Sequence, residues 1–314
     1  LLTAAVNMID MLIEKGQTIV STKGRMKESN RSFLSRTKPI IDKDVKIAIL
    51  INQGSASASE IVAGSIQDLD RGIVIGRKSF GKGLVQTLYP IDKVRSLKVT
   101  TARYYIPSGR FIQNNDYINE KVVLESEQED SIFTTLNGRK VLGNGGITPD
   151  SIIFSETMEP LTVQYWRSGF FYSFAQENKF QYEKFEDVEN DNELMSKFNN
   201  FILTKDKVRL PGEEVLEEIE EKMTALGKID SKTKKAMNDL ELFFKNQKND
   251  RLVSENTDMK QLLLLEFAGL FNGPEGRIKQ ALKDDKVVQS AINILSSDNS
   301  YQMAFKNSQV IINN

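Results

Sequence analysis

The sequence predicts an α/β core followed by an all-helical domain, and three observations carry that expectation. Val45-Lys46-Ile47-Ala48-Ile49-Leu50-Ile51 is a nearly unbroken apolar run rich in β-branched residues, the pattern of a strand buried on both faces of a parallel sheet. Ile61, Val62, Ser65, Ile66 and Leu69 then recur at three- and four-residue spacing, and Gly72-Ile73-Val74-Ile75-Gly76 returns as a second strand. Beyond about Phe154 the character becomes helical. The α/β part is therefore expected over residues 1–153 and the helical domain over 154–314.

Taken from its start, the chain opens with Leu2, Ala5, Val6, Ile9, Leu12 and Ile13 on one face of a helix that has no cap before it, as though the sequence entered in mid-fold. Gln17 to Thr22 reads as a strand, and Lys23 to Lys38 as a charged loop or hairpin whose basic residues, interrupted by Glu28, make a solvated face. Asp68, Asp70 and Arg71 close the helix after the first buried strand and read as surface residues. From Thr87 to Gln113 side chains alternate: Leu97, Val99, Thr101, Arg103 and Tyr105 fall on one side, Lys98, Thr100, Ala102, Tyr104 and Ile106 on the other. Thr100 to Tyr105 could pair with an extended peptide by backbone hydrogen bonds, or be a core strand whose tyrosines pack. Glu125 to Asp130 is an acidic run expected in a solvated loop. Ile132 to Leu136 looks like a strand with a hairpin signal at Asn137-Gly138, and Gly143 to Asp150 is a glycine-rich turn.

In the second half, Leu161 to Phe174 carries a stripe including Trp166, Phe170, Phe171 and Phe174, which core packing explains better than a cofactor site. Glu213 to Leu226 is a helix between Pro211-Gly212 and Gly227. Thr233 to Gln247, Met259 to Phe271 and Lys283 to Leu295 follow as helices, with Gly273 and Pro274 punctuating the third. Leu262 to Leu265 must be buried in this bundle or against a partner. None of these helices carries a chemical constellation.

Composition narrows the function. With 314 residues, 39% hydrophobic and 27% charged, the chain is that of a soluble globular protein large enough for two cores. A formal charge of −1 argues against nucleic acid, and no apolar run is long enough for a membrane span. No metal-ligand spacing and no phosphate-cradling loop occurs, so no cofactor or metal is expected. The sequence has no histidine and no cysteine, which removes Ser-His-Asp and Cys-His catalysis. A serine nucleophile here would need a lysine or carboxylate base, and lysine serves as a base near neutrality only when desolvation favours the free amine.

Two short segments meet that need. In Asn52-Gln53-Gly54-Ser55-Ala56-Ser57-Ala58-Ser59-Glu60, Ser57 sits at a helix N-terminus, where free N–H groups favour developing negative charge. Ser57 and Glu60 also stand in capping-box spacing, which explains both without chemistry. In Phe80-Gly81-Lys82-Gly83-Leu84-Val85-Gln86, Lys82 lies between two glycines in apolar surroundings, and Gln86, four residues on, is placed to face the same point.

Gly54 to Gly64, Phe80 to Gln86, Thr100 to Arg110 and Gly145-Gly146-Ile147-Thr148-Pro149-Asp150, in that order, closely resemble the C-terminal processing peptidases, or tail-specific proteases, over roughly residues 1–150. The resemblance implies a crotonase/ClpP-like layered α/β protease core. It implies Ser57 as nucleophile, Lys82 as base, Gln86 as the residue orienting the lysine, and the Ala58 N–H as one oxyanion donor. It implies polypeptide substrates, unfolded or C-terminal, and a bacterial periplasm or cell envelope location. In that family an Asn-Pro-Gly-Gly element carrying the other oxyanion donor, and a PDZ domain, come before this point. The segment by itself is therefore expected to lack part of its oxyanion hole, a loss of about 10² to 10³ in rate. A rival is a binding module similar to the retinoid-binding protein of the photoreceptor matrix, or a scaffold whose helices after Phe154 form a homo-oligomer or hold an adaptor.

Overall fold

The structure is a computed structural model that describes residues 2–114, 131–143, 145–154, 158–205, 211–254 and 256–307. The acidic run at Glu125 to Asp130 lies outside the described residues. The chain divides into two compact units, Leu1–Ser155 with Lys286–Asn314, and Glu156–Asp285.

The first unit begins with helix α1 (Leu2–Asp10), whose Ala5 and Ile9 are buried, and continues into strands β1 (Thr18–Gly24) and β2 (Arg31–Leu34), an antiparallel hairpin. Strand β3 (Ala48–Ile51) leads through a turn into helix α2 (Ala58–Asp68), and strand β4 (Ile73–Gly76) returns parallel to β3 with Ala48 opposite Ile73. Strands β5 (Leu84–Pro90) and β6 (Ser96–Tyr105) form a long antiparallel hairpin, β7 (Ile132–Thr134) and β8 (Lys140–Leu142) a short one, and β9 (Ser151–Ile152) pairs parallel with β4. The sheets run β2-β1-β6-β5 and β3-β4-β9, and β7-β8 stands apart. Between them α2 buries Ile61, Ala63 and Ile66 against Ile9, Ile19, Val20, Tyr104, Ile106 and Ile147.

The strand buried on both faces is β4, with Ile73, Val74 and Ile75 at 0% exposure. The first apolar run, expected to be that strand, is the outer strand β3 instead, and Leu50 is 41% exposed there. An outer strand is covered by fewer neighbours than a central one, so the same residue types are only half-buried. Thr100 to Tyr105 lies in β6, an interior strand between β1 and β5, so its main chain is engaged on both sides at Ala102 and Arg103. The core-strand reading fits this placement.

The second unit is all helical: α3 (Pro160–Arg167), α4 (Phe170–Asn178), α5 (Phe185–Glu189), α6 (Leu194–Lys205), α7 (Pro211–Ala225), α8 (Ser231–Ser254) and α9 (Asn256–Lys283). Its centre is aromatic, with Phe174 edge-on to Phe198, Phe201 and Phe267 and Phe171 stacked on Phe198 at 4.9 Å. The stripe read from the sequence is thus core, except that Trp166 is 47% exposed. At Gly273 (φ 67, ψ −165) the helical geometry of α9 is interrupted ahead of Pro274, as a residue free of a Cβ and a ring lacking an N–H require.

Helices α10 (Lys286–Leu295) and α11 (Asp298–Asn307) belong to the first unit, so the helical domain does not run from 154 to the end as expected but closes at Asp285. The reason is physical. Ile73 and Ile75 of β4 need a cover, and Ala291, Tyr301 and Ala304 supply it together with Val287, Ile294 and Phe305. Tyr301 adds a polar latch: Ile47 N–H donates to its hydroxyl at 3.2 Å, and the hydroxyl lies 3.1 Å from Ile47 O. Lys46 bonds Leu295 O and pairs with Asp298 at 2.5 Å. Tyr301→Phe keeps the ring and removes the latch, so it should lower the stability of this unit by about 1 kcal/mol in denaturant unfolding.

Candidate active site

The turn after β3 holds itself in shape. Asn52 N–H donates to Ser55 Oγ at 3.1 Å, Ser55 N–H to Asn52 O at 2.9 Å, and Gly54 N–H to Asn52 Oδ1 at 2.9 Å. It delivers Ser57 to the N-cap of α2 with φ 58 and ψ −113, a backbone conformation that glycine adopts freely and L side chains rarely do. Such a residue typically carries about 1–3 kcal/mol of strain and persists only where its surroundings over-determine it. Ser57 and Glu60 form a capping box at this helix start, with the Glu60 carboxylate reaching back to the Ser57 N–H. Ala58 follows as the first helical residue, and its N–H precedes the first intrahelical bond, made by Glu60 N–H to Ser57 O.

What over-determines Ser57 is Glu60, whose side chain is wholly buried. Its Oε2 accepts from Ser57 N–H at 2.8 Å and from Lys82 N–H at 2.8 Å; its Oε1 accepts from Gly81 N–H at 2.6 Å and Ser79 Oγ at 2.5 Å. The main chains of Ser57 and Lys82 therefore share one carboxylate oxygen. Phe80 N–H adds a further tie to Ser55 O at 2.9 Å. Glu60 keeps its capping role from the sequence reading and gains a second one, joining the two predicted site segments.

The lysine loop is pinned from its other side as well. Asn114 N–H donates to Gly81 O at 2.8 Å, Gly83 N–H to Gln113 Oε1 at 2.9 Å, and Tyr104 N–H to Gly83 O at 3.0 Å. A Cβ on Gly81 would stand 2.8 Å from Asn114 Cβ, and one on Gly83 would stand 2.8 Å from the Phe111 ring, so the flanking glycines permit this close approach. Lys82 is half-buried, and its ammonium enters no ion pair among the described residues. Gln86 is exposed on β5, and its side chain makes no hydrogen bond to Lys82 among the described residues. Lys82 lies ahead of β5 in irregular chain, so the same-side argument from strand or helix spacing does not reach it.

The sequence reading missed two features. Tyr104, 2% exposed, bonds the Lys82 carbonyl with its hydroxyl, which also lies 3.3 Å from Ser57 O. Burial first, and the Glu60 charge second, push the phenol pKa well up, so it stays a donor. The second feature is ionic. Asp68 and Asp70, expected at the surface, are buried; Asp68 pairs with the fully buried Arg110 at 2.7 Å, and Asp70 with Arg139 at 2.5 Å. Arg139 also holds Asp150 at 2.6 Å, whose Oδ2 accepts from Val74 N–H at 2.7 Å. This network ties the Gly145 to Asp150 turn to the end of α2. Ile147 N–H donates to Ser79 Oγ at 2.7 Å, so the same turn reaches Glu60 through one hydroxyl. Charges this dense at the end of a helix are indistinguishable in sequence from a solvated helix end, which is why the reading failed there.

Residues 1–123 match the family model described as peptidase family S41, and residues 160–295 match that described as "Probable PDZ-protease, C-terminal helical domain". The carboxy-terminal-processing protease of Bartonella bacilliformis is 48% identical over 113 residues, covering 36% of this chain and 26% of that protein. A "Probable CtpA-like serine protease" of Staphylococcus epidermidis is 33% identical over 177 residues, covering 51% and 35%. The chloroplastic C-terminal processing peptidase of Tetradesmus obliquus is 36% identical over 109 residues, covering 35% and 23%. The chain thus spans about a quarter to a third of the length of these relatives.

The strain at Ser57 makes a direct prediction. Ser57→Gly should unfold at a higher temperature than Ser57→Ala, by an equivalent of about 1 kcal/mol, because glycine relieves the positive φ at the expense of some unfolded-state entropy. Calorimetry of the two variants side by side checks it; equal midpoints would mean that the turn is unstrained.

Proposed function

We propose, from the premise that residues 1–123 are a segment of a family S41 peptidase, that the protein containing this chain cuts polypeptides by acyl transfer from Ser57, with Lys82 as its base. The observation that carries this reading is the shared anchoring of the Ser57 and Lys82 main chains on one Glu60 oxygen, with the lysine ammonium in no ion pair among the described residues.

The neutral Lys82 amine takes the proton of Ser57 Oγ as that oxygen bonds the scissile carbonyl carbon. The Ala58 N–H, at the positive end of α2, donates to the resulting oxyanion. Collapse breaks the C–N bond, and the Lys82 ammonium returns its proton to the leaving amine. Water then enters the same path: Lys82 takes its proton, the hydroxyl adds to the acyl carbon, and Ser57 leaves with a proton restored. Gln86 is the proposed partner that steadies the lysine amine during these transfers; its exposed place on β5, four residues from Lys82, leaves its amide at liberty to turn. Substrates are extended or C-terminal segments, as the relatives' names suggest, and a bacterial envelope is the proposed setting.

In the complete protein, Ser57→Ala and Lys82→Ala should each lower hydrolysis of an unfolded protein by about 10⁴-fold or more while leaving the circular dichroism spectrum unchanged. Products identified by mass check both the loss and the cut sites. Near-full turnover in Lys82→Ala would remove lysine from the mechanism.

A further inference from the structure

We infer that the Tyr104 hydroxyl is a positioning residue for the base, fixing Lys82 through its carbonyl; the inference rests on the acyl-transfer reading above.

The phenol has two acceptors within reach and one proton to give. Ser57 O is already served, since Glu60 N–H donates to it at 2.9 Å and Ile61 N–H at 3.1 Å. Lys82 O has no other donor among the described hydrogen bonds, so the proton goes there. That bond completes a pattern. Lys82 N–H is held by Glu60, the neighbouring Gly81 O and Gly83 N–H by Asn114 and Gln113, and the Lys82 carbonyl, among the described residues, by Tyr104.

Glycines on both sides of Lys82 make this matter. Neither Gly81 nor Gly83 has a side chain to wedge the loop, and Gly81 already sits at φ +86, so hydrogen bonds set the direction in which the Lys82 side chain leaves the backbone. The peptide plane joining Lys82 to Gly83 is fixed at its oxygen by the phenol. Released there, the plane is held only through the Gly83 N–H bond to Gln113 Oε1, about which it can rock, and the amine at the end of a four-carbon stem moves with it. Displacements of about 1 Å at a reacting group can cost 10²-fold in rate.

Tyr104→Phe is the probe, because it deletes one hydroxyl from a core ring and leaves the Tyr104 N–H bond to Gly83 O, and hence the strand pairing, in place. Tyr105→Phe on the opposite face of the same strand is the control; its ring packs on Phe111 and under the Lys23 ammonium, and its hydroxyl makes no hydrogen bond to Lys82 among the described residues. In the complete protein, Tyr104→Phe should lower kcat by about 10- to 100-fold with KM within twofold of wild type, and should slow covalent labelling of Ser57 by a fluorophosphonate to a similar degree. Its thermal midpoint should stay close to that of Tyr105→Phe, whose kcat should be unchanged. Wild-type kcat and labelling rate in Tyr104→Phe, or a loss of rate no larger than the loss of folded protein, would overturn the inference. Ser57→Ala, run in parallel, separates the two levels. If it is inactive while Tyr104→Phe is normal, only the inference falls; if it still cleaves, the acyl-transfer reading falls and takes the inference with it.

Discussion

The Glu60 carboxylate accepts four hydrogen bonds with no exposure to solvent, and each segment of the site ends at one of its two oxygens. A buried carboxylate without a cationic partner is tolerable only when donors replace its lost hydration, and charge-assisted bonds of this kind are worth roughly 1.5–3 kcal/mol each. The need runs in both directions. Glu60 requires the N–H groups of Ser57, Gly81 and Lys82, and those groups, in a tight turn and an irregular loop, have no ladder or helix to satisfy them. The helix start, the lysine loop and, through Ser79, the Gly145 to Asp150 turn are consequently parts of one hydrogen-bonded knot. A change at any of the three is felt at the others.

How much of this was visible beforehand follows from what a sequence encodes. Local periodicity placed α1, β1, α2, β4 and the β7-β8 turn, because each depends on its own residues: apolar spacing, β-branching, and Asn137-Gly138 with Gly138 at φ +84. Ser57 and Lys82 stood out through chemistry, since a chain without histidine has few ways to activate a serine. What stayed hidden depends on partners distant in sequence. Nothing about Tyr104 distinguishes a packed ring from one whose hydroxyl meets a carbonyl 22 residues earlier. Asp68, Asp70, Arg110 and Arg139 look solvated one by one and become a buried lattice only when folded.

Helices α10 and α11 show the same limit at larger scale. Their sequence reads as a continuation of the helical half, yet Ala291, Tyr301 and Ala304 cover β4, and Lys46 and Ile47 are bonded to residues about 250 positions later. The unit of Glu156–Asp285, with its own aromatic core, is an excursion between the two parts of the other.

That arrangement has a consequence for biogenesis. A ribosome delivers a chain from its N-terminus, so β3 and β4 emerge long before the helices that cover them, and the intervening unit can complete its core first. During that interval Ile73 and Ile75 face water on a half-made sheet, the kind of surface on which newly made chains stick to one another. Closing so wide a loop is also slow, because the entropy of bringing its ends together is lost before any contact repays it. Completion of this unit thereby waits until Lys286–Asn307 has emerged, and a chain cut short before Lys286 is one whose parallel sheet never acquires its cover.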